Sequence, residues 1–337
     1  PTCAMTYGEK DGAVGYLIGA ENKGLAAMFT MMNAERLYVG LQGVGVAERA
    51  YQAALAYARD RRQGRADGVQ GVARLVDHPD IRRTLFAMKA KIEGARAICY
   101  MTAIAADEAA IEEDSEDRAF AKRREEFLTP IAKAWSTDMA VEVTSLGLQA
   151  HGGMGYIEET GAAQYCRDAR VFAIYEGTNG IQAIDLISRK LTLAGGSALR
   201  EIIEDIRQSV EDCVTSSSGE LKLIGERLGA AVAAMESAAH WLLEQSAADR
   251  RAALAGATPF LGLSGDVCAG WGLTIAAVAA YRRLKEGDSD QDFLRAKIAL
   301  ARFFADTVLV LAEGKATDVR LGAGILFGAS EVALSSV

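Results

Sequence analysis

Proline and cysteine are both scarce in this chain, with 4 prolines and 5 cysteines among 337 residues. Since proline interrupts helices and 50% of the residues are hydrophobic, with alanine abundant, the composition favours long packed helices. The cysteines are far apart and form no CxxC motif, so the sequence suggests neither a disulfide framework nor a zinc site. Such cysteine usage fits a reducing compartment, and we expect a cytoplasmic protein.

Excess positive charge and long apolar runs are missing as well. The net charge is -8, which disfavours a dedicated nucleic-acid binder, because such proteins need a basic face to displace counterions. No unbroken apolar run approaches the roughly 20 residues of a membrane-spanning helix, so we predict no membrane partner. Paired ExxH motifs, GxGxxG and GxxxxGK[ST] are absent, which argues against a di-iron bundle and two common nucleotide-binding folds. We predict no metal site.

Apolar residues recur at helical spacing along most of the chain. The predicted helices cover about residues 24–65, 71–107, 117–150, 161–173 and 178–193. The second helix could instead start at Pro79, and Pro130 either kinks the third helix or marks its start. A cap-rich break at residues 194–197 predicts a domain boundary. Beyond it, apolar stripes near residues 221–235, 263–284 and 294–311 predict a second antiparallel bundle without any motif that carries chemistry.

The first 23 residues have a strand-like pattern instead. Residues 5–9 and 13–18 flank the turn sequence Lys10-Asp11-Gly12, which predicts a β-hairpin. Because a lone hairpin is marginal in water, its partner strands should lie outside this sequence or in a neighbour. We therefore expect the chain to be part of a longer protein.

One carboxylate stands in a glycine-flanked break between two helical patterns. Glu176 opens the segment EGTNG, a short connection whose side chains should be reachable from solvent, as a catalytic base must be. On the spacing alone, an ordinary helix end is the preferred interpretation. Gly177 would then be the C-cap of one helix and Thr178 the N-cap of the next.

The sequence around Glu176 closely resembles the C-terminal signature of acyl-CoA dehydrogenases, RDAR followed by IYEGT, here residues 167–170 and 174–178. In that family, the glutamate of YEGT abstracts the α proton of an acyl-CoA thioester while FAD takes a hydride from the β carbon. The resemblance therefore implies an FAD-dependent acyl-CoA dehydrogenase with Glu176 as the base. It also implies that the Glu176 backbone N–H helps to hold the thioester carbonyl, while Gly177 allows the substrate to approach closely.

Residues early in the first long helix resemble the part of the family that meets acyl-CoA. Asn33 and Arg36 match an acidic-or-amide and arginine pair near the pantetheine portion, although Arg36 alone would be interpreted as a surface charge. Glu35 occupies the position where some branches carry their catalytic glutamate, so the sequence offers two candidate bases. Because those branches generally lack the glutamate of YEGT, we favour Glu176, with Glu35 paired to an arginine or facing solvent.

The resemblance assigns three segments to FAD. Thr178, Asn179 and Gly180 match positions that contact the flavin, although an ordinary helix start also explains them. Arg61 and Gln63 match the end of the family motif RxQFG, whose arginine meets the FAD pyrophosphate of a neighbouring subunit; the phenylalanine of that motif is missing here. The third segment resembles the QxxGG stretch beside the adenine half and consists of Gln149, Gly152 and Gly153.

The same resemblance organises the whole chain as a mainly α fold. Residues 1–23 would end a central β domain, 24–194 would form the C-terminal catalytic helical bundle, and 197–337 an additional helical domain. Larger bacterial members, such as the 3-methylmercaptopropionyl-CoA dehydrogenases, carry such an extra domain. Because the N-terminal helical domain and most of the β domain would be missing, we expect this chain to be inactive alone and to bind FAD weakly or not at all.

Partners follow from the resemblance as well. Family FAD sites borrow residues from a neighbouring subunit, which implies a homodimer, and an electron-transfer flavoprotein is the implied electron acceptor in fatty acid metabolism. Two other interpretations stay open. One is an acyl-CoA oxidase of the same fold, and the other is a non-catalytic helical assembly module that has lost its flavin.

Overall fold

The computed structural model describes residues 3–328, and three long helices dominate its first half. They are α1 (Gly24–Asp60), α2 (Pro79–Ile111) and α3 (Ser115–Ala150). The Asp114 carboxylate starts α3 by accepting hydrogen bonds from two backbone N–H groups, and α3 continues through Pro130. Short elements follow, namely α4 (Gly153–Tyr156), α5 (Ala162–Phe172), α6 (Asn179–Asp185) and a π-helical turn (Leu186–Lys190).

The second half is also helical. Its helices are α7 (Ser197–Val214), α8 (Gly219–Ala248), α9 (Arg250–Ala255), α10 (Ala257–Lys285), α11 (Gln291–Thr307), α12 (Ala312–Val319) and α13 (Gly324–Gly328). α10 packs against α2, α8, α11 and α12. This helix is long and apolar enough to cross a membrane, but 83% of its most apolar window is buried inside the protein. Its hydrophobicity is that of a core helix.

Residues 194–196 break the helical path between the two halves. Ala194, Gly195 and Gly196 all have positive φ, at 49°, 68° and 82°. The hydrophobic core nevertheless continues across the break, since one cluster of buried side chains includes members from both halves. Ion pairs also join the two halves of the chain; for example, the side chains of Arg123 and Glu201 lie 2.7 Å apart. The division into domains at this point stays a prediction.

The mainly helical fold predicted from the sequence is confirmed, but the hairpin is not formed as paired strands. Between residues 3 and 23 the structure has no β-strand. It has a turn in which the Gly12 N–H donates to the Gly8 carbonyl at 3.2 Å. The predicted strand residues, such as Tyr7 and Tyr16, are highly exposed. Two strands without a third partner bury too little apolar surface to stay paired, and no described residue supplies one.

The first long helix ends five residues earlier than predicted. At Arg61 the backbone turns extended, and the following residues pair with the segment before α2. Gln63 N–H donates to the Ala73 carbonyl and Leu75 N–H donates to that of Arg61, both at 2.9 Å. α2 then starts at Pro79, the second of the two predicted starts, where proline is well suited to the first helical position. These backbone hydrogen bonds are long-range in character, so the helical spacing could not predict them.

Gly265 of α10 packs against Trp135 of α3, and we expect Gly265→Ala to destabilise the protein by about 1–3 kcal/mol. A Cβ atom at this position would lie 2.1 Å from Cδ1 of Trp135, a buried side chain whose indole N–H donates to Asp266. Chemical denaturation measures the free energy of unfolding. Gly262→Ala on the same helix is the matched control, because a Cβ there meets no atom within 4 Å and alanine raises helix propensity by about 1 kcal/mol. Equal stability of the two variants would contradict this packing.

Candidate active site

The turn between α5 and α6 carries Glu176 in an unusual backbone conformation. Glu176 has φ of 57° and Gly177 has φ of 86°, so two consecutive residues occupy the left-handed region. A non-glycine residue pays strain energy there, which persists only where surrounding contacts hold it. At Gly177 a Cβ would lie 2.9 Å from Nε2 of Gln182, which itself donates to the Glu176 carbonyl at 3.2 Å. The turn is therefore held from the α6 side.

Lys133 of α3 also holds this turn through hydrogen bonds from its side chain. Its fully buried ammonium donates to the Gly177 carbonyl at 2.9 Å and to Oδ1 of Asn179 at 2.8 Å. Burial is the main cause that lowers the pKa of Lys133 to about 8, and the positive charge of Arg36 adds to it, while Asp138 and Glu176 oppose it. Sequence reasoning missed Lys133. The available signal was a lysine within the largely apolar run FLTPIAKAW.

The side chain of Asn179 is hydrogen-bonded to residues of α3. Its amide Nδ2 donates to the Ala134 carbonyl, to Oγ1 of Thr137 and to Oδ1 of Asp138, at 3.1, 2.9 and 2.7 Å. Burial raises the pKa of Asp138 above its ordinary value. Thr178 caps α6, since its Oγ1 accepts from the Ile181 N–H at 3.4 Å. Thr178 is therefore an N-cap, as the ordinary interpretation has it, but α5 ends at Phe172, so Gly177 is not its C-cap. The functional role of these residues stays a prediction.

The Glu176 carboxylate itself forms no hydrogen bond or ion pair with any described residue. Its side chain is half-buried. The neighbouring Tyr175 donates its hydroxyl to Oε1 of Gln42 on α1. Burial raises the pKa of Tyr175, with smaller contributions from the negative charges of Glu176 and Glu35. The two candidate bases of the sequence therefore lie near the same tyrosine.

Arg36 lies near enough to Lys133 to act on its charge and is buried, with only 6% of the residue exposed. Its guanidinium donates to Oδ1 of Asn33 at 3.3 Å and lies 3.8 Å from Oδ2 of Asp185. The buried Nε has no partner among the described residues. The cleft that Asn33 and Arg36 line also includes Glu125, Glu126 and Asp185, but not Glu176. Arg36 is therefore a buried charge and not a solvated surface residue. Glu176 does not line the polar cleft that Arg36 lines.

The remaining predicted residues form a second cluster at the far end of α1. Tyr57 stacks on His151 with ring centroids 4.6 Å apart, which brings the end of α1 beside the Gly152-Gly153 pair. His151 is also bonded through Nδ1 to the Gly147 carbonyl at 2.7 Å. The members of this cluster that were predicted from the sequence are all exposed, namely Arg61, Gln63, Gln149, Gly152 and Gly153.

The two clusters cannot serve one small ligand within a single chain. Arg36 and Arg61 are 25 residues apart on nearly continuous helix, which corresponds to about 37 Å along its axis. The first cluster consists of Glu176, Gly177, the start of α6, Glu35 and the Asn33–Arg36 pair. Glu176 and Arg36 both act electrostatically on Lys133, although Glu176 does not line the Arg36 cleft. The second gathers the residues matched to the adenine and pyrophosphate end of FAD.

Comparison with known proteins identifies the group to which these features belong. The sequence profile described as "Acyl-CoA dehydrogenase, C-terminal domain" matches residues 22–192, about half of the chain. The chain belongs to the acyl-CoA dehydrogenase family. A second profile, described as "Acetyl-CoA dehydrogenase C-terminal like", matches residues 202–329. The family predicted from the RDAR and YEGT motifs is confirmed, and both helical halves of the chain have counterparts among acyl-CoA dehydrogenases.

The relatives of this acyl-CoA dehydrogenase chain are longer proteins. A 3-methylmercaptopropionyl-CoA dehydrogenase from Ruegeria pomeroyi is 47% identical over 312 residues, which cover 92% of this chain and 52% of that protein. The chain therefore spans about half the length of the curated relatives it matches.

Two solved structures have the same fold. Caenorhabditis elegans ACDH-11 in complex with C11-CoA has a TM-score of 0.74 at 21% identity, covering 94% of this chain and 50% of its own. A Bacillus anthracis acyl-CoA dehydrogenase complexed with FAD has a TM-score of 0.66 at 20% identity, covering 88% and 50%. At these identities the likeness concerns the fold alone.

Proposed function

We propose that this chain is the C-terminal part of an FAD-dependent acyl-CoA dehydrogenase that forms a double bond between the α and β carbons of an acyl-CoA thioester. Glu176 is the base that takes the α proton. The observation that carries this proposal is the Glu176 carboxylate, which no described residue engages although the backbone beneath it is firmly held. A carboxylate without protein partners leaves both of its oxygens available to a substrate proton.

The backbone of the turn supports the same role. Neither Glu176 N–H nor Gly177 N–H donates to a described acceptor. Both are therefore available to a thioester carbonyl oxygen, on which negative charge accumulates when the α proton leaves. The Gln182 hydrogen bond to the Glu176 carbonyl orients the peptide that carries the Gly177 N–H, and Lys133 holds the next carbonyl, that of Gly177. Arg36 and Asn33 are proposed to contact the acyl-CoA further along its chain.

The second cluster fits a dinucleotide. The Arg61 guanidinium is exposed and forms no ion pair with any described residue, and a Cβ at Gly152 or Gly153 would meet no atom within 4 Å. A guanidinium pairs well with phosphate, and open glycine backbone allows close approach of a ligand. We propose that these residues, with Gln63 and Gln149, hold the pyrophosphate and adenine half of FAD. When bound, FAD accepts the hydride from the β carbon.

The separation of the clusters supports a homodimer. Because about 37 Å of helix lies between Arg36 and Arg61, the FAD that meets Glu176 would take its distant phosphate contacts from a second subunit. The substrate of the R. pomeroyi relative makes 3-methylmercaptopropionyl-CoA the first thioester to test. An electron-transfer flavoprotein is the proposed acceptor, and the cytoplasm the proposed location.

A panel of acyl-CoA thioesters tests the proposed function. Mixed anaerobically with the full-length protein, at least one thioester is expected to bleach the flavin absorbance, because removal of the α proton and the β hydride reduces the bound FAD. Rapid oxygen consumption with acyl-CoA would indicate an oxidase instead. A colourless full-length protein without affinity for CoA thioesters would contradict the proposal and favour an assembly module.

A further inference from the structure

A cleft of about 460 Å³ lies where α1, α2 and α11 meet, and none of its lining residues belongs to either cluster described above. α1 contributes Tyr51, Leu55 and Arg59, and α2 contributes Arg82, Phe86 and Lys89, among others. Arg59 precedes Arg61 by two residues, and Arg74 forms a β-bridge with Arg62, so the cleft lies beside the second cluster. None of the residues proposed to contact FAD lines the cleft.

The cleft is lined by four cationic side chains and by no carboxylate. Lys89 is paired with Glu48 and Glu93 at 3.4 and 3.1 Å, and Arg74 with Asp77 at 2.9 Å. Arg59 and Arg82 form no ion pair with any described residue. A concave surface with charge of one sign concentrates its electrostatic potential. A ligand in this cleft therefore meets the uncompensated positive charges of Arg59 and Arg82.

The floor of the cleft is apolar. Leu55, Leu85 and Leu300 lie there with the rings of Tyr51 and Phe86. Burial raises the pKa of Tyr51, and the Lys89 ammonium lies 5.3 Å from the centroid of its ring. Ligand sites commonly combine such an apolar lining with a few placed charges. An anion with a purely polar body would leave this floor without a contact.

We propose that this cleft binds an amphipathic organic anion, a carboxylate or phosphate joined to an apolar body. Arg59 and Arg82 hold the charged head, because a guanidinium fork matches either group, and the aromatic and leucine floor covers the body. Since α11 supplies one wall through Ala296, Ala299 and Leu300, the bound anion also joins the second half of the chain to α1 and α2. The site is independent of the dehydrogenation proposed for Glu176.

Isothermal titration of the full-length protein tests the site with two probes, decanoate for a carboxylate head and adenosine 3′,5′-bisphosphate for a phosphate head. At least one probe is expected to bind saturably. Arg59→Glu and Arg82→Glu should each weaken that binding by about tenfold or more, since each reverses a charge at the head group. Which probe responds identifies the head group.

Arg49→Glu is the matched control, because Arg49 is an exposed arginine on α1 that does not line the cleft. Arg59→Gln and Arg82→Gln, which only remove the charge, give the same comparison if a reversal variant fails to fold in circular dichroism. Lack of saturable binding by both probes would overturn the proposal. So would binding that is insensitive to Arg59 and Arg82, or equally weakened by Arg49→Glu, which would reflect general surface charge.

Discussion

Glu176→Gln is expected to slow acyl-CoA-dependent flavin bleaching in the full-length protein by about 100- to 10,000-fold, the range that loss of a positioned general base produces. The amide keeps the shape of the side chain but cannot accept the α proton. Because the carboxylate engages no described residue, its replacement should change stability by less than about 0.5 kcal/mol. FAD content should also stay unchanged. Stopped-flow absorbance measures the bleaching, and thermal unfolding measures the stability.

Glu35→Gln is the matched control for this experiment. Glu35 and Glu176 both act electrostatically on Tyr175, so both carboxylates lie near the turn. If Glu176 is the base, Glu35→Gln retains most of the bleaching rate. Loss of bleaching in Glu35→Gln together with normal bleaching in Glu176→Gln would move the base to Glu35. Loss in neither variant would remove both carboxylates from the chemistry.

The long helices could be predicted because the spacing of their buried residues is a local property of the sequence. The stripes near residues 221–235 and 294–311 fall on α8 and α11, whose buried residues repeat at helical intervals. Because α11 ends at Thr307, Val308 and Leu311 of the second stripe lie beyond it. The end of α1 was not predictable in the same way. Arg61 leaves the helix because the residues after it pair with a segment about ten positions away, and no local propensity reports such a contact.

At the candidate site, the motif located the turn but not what holds it. RDAR and YEGT pointed to Glu176 and to the start of α6, and the structure places both at one turn. Lys133 was missed because a lysine on a helix is ordinarily solvated, and only the packing of α3 beneath the turn makes it fully buried. The burial of Arg36 has the same origin. Burial of a charged residue depends on tertiary neighbours that the sequence does not specify locally.

The stability of the protein should reveal Lys133 through its dependence on pH. The folded chain holds the pKa of Lys133 at about 8, below the ordinary value of 10.5, because burial disfavours the charged form. Below pH 8 both the folded and unfolded chains carry the proton, and the full cost of burying the charge is present. Between pH 8 and 10.5 only the unfolded chain keeps it, so stability rises with pH, by about 3 kcal/mol in total.

Lys133→Met isolates this contribution, because methionine fills similar space without a titrating group. Urea denaturation at a series of pH values from 7 to 10 gives the difference in unfolding free energy between the wild type and the variant. That difference should move in favour of the wild type as the pH rises. Lys122→Met, at an exposed lysine of the same helix, measures the effect of removing a surface lysine. A difference between the wild type and Lys133→Met that stays constant with pH would mean that folding does not lower the pKa of Lys133.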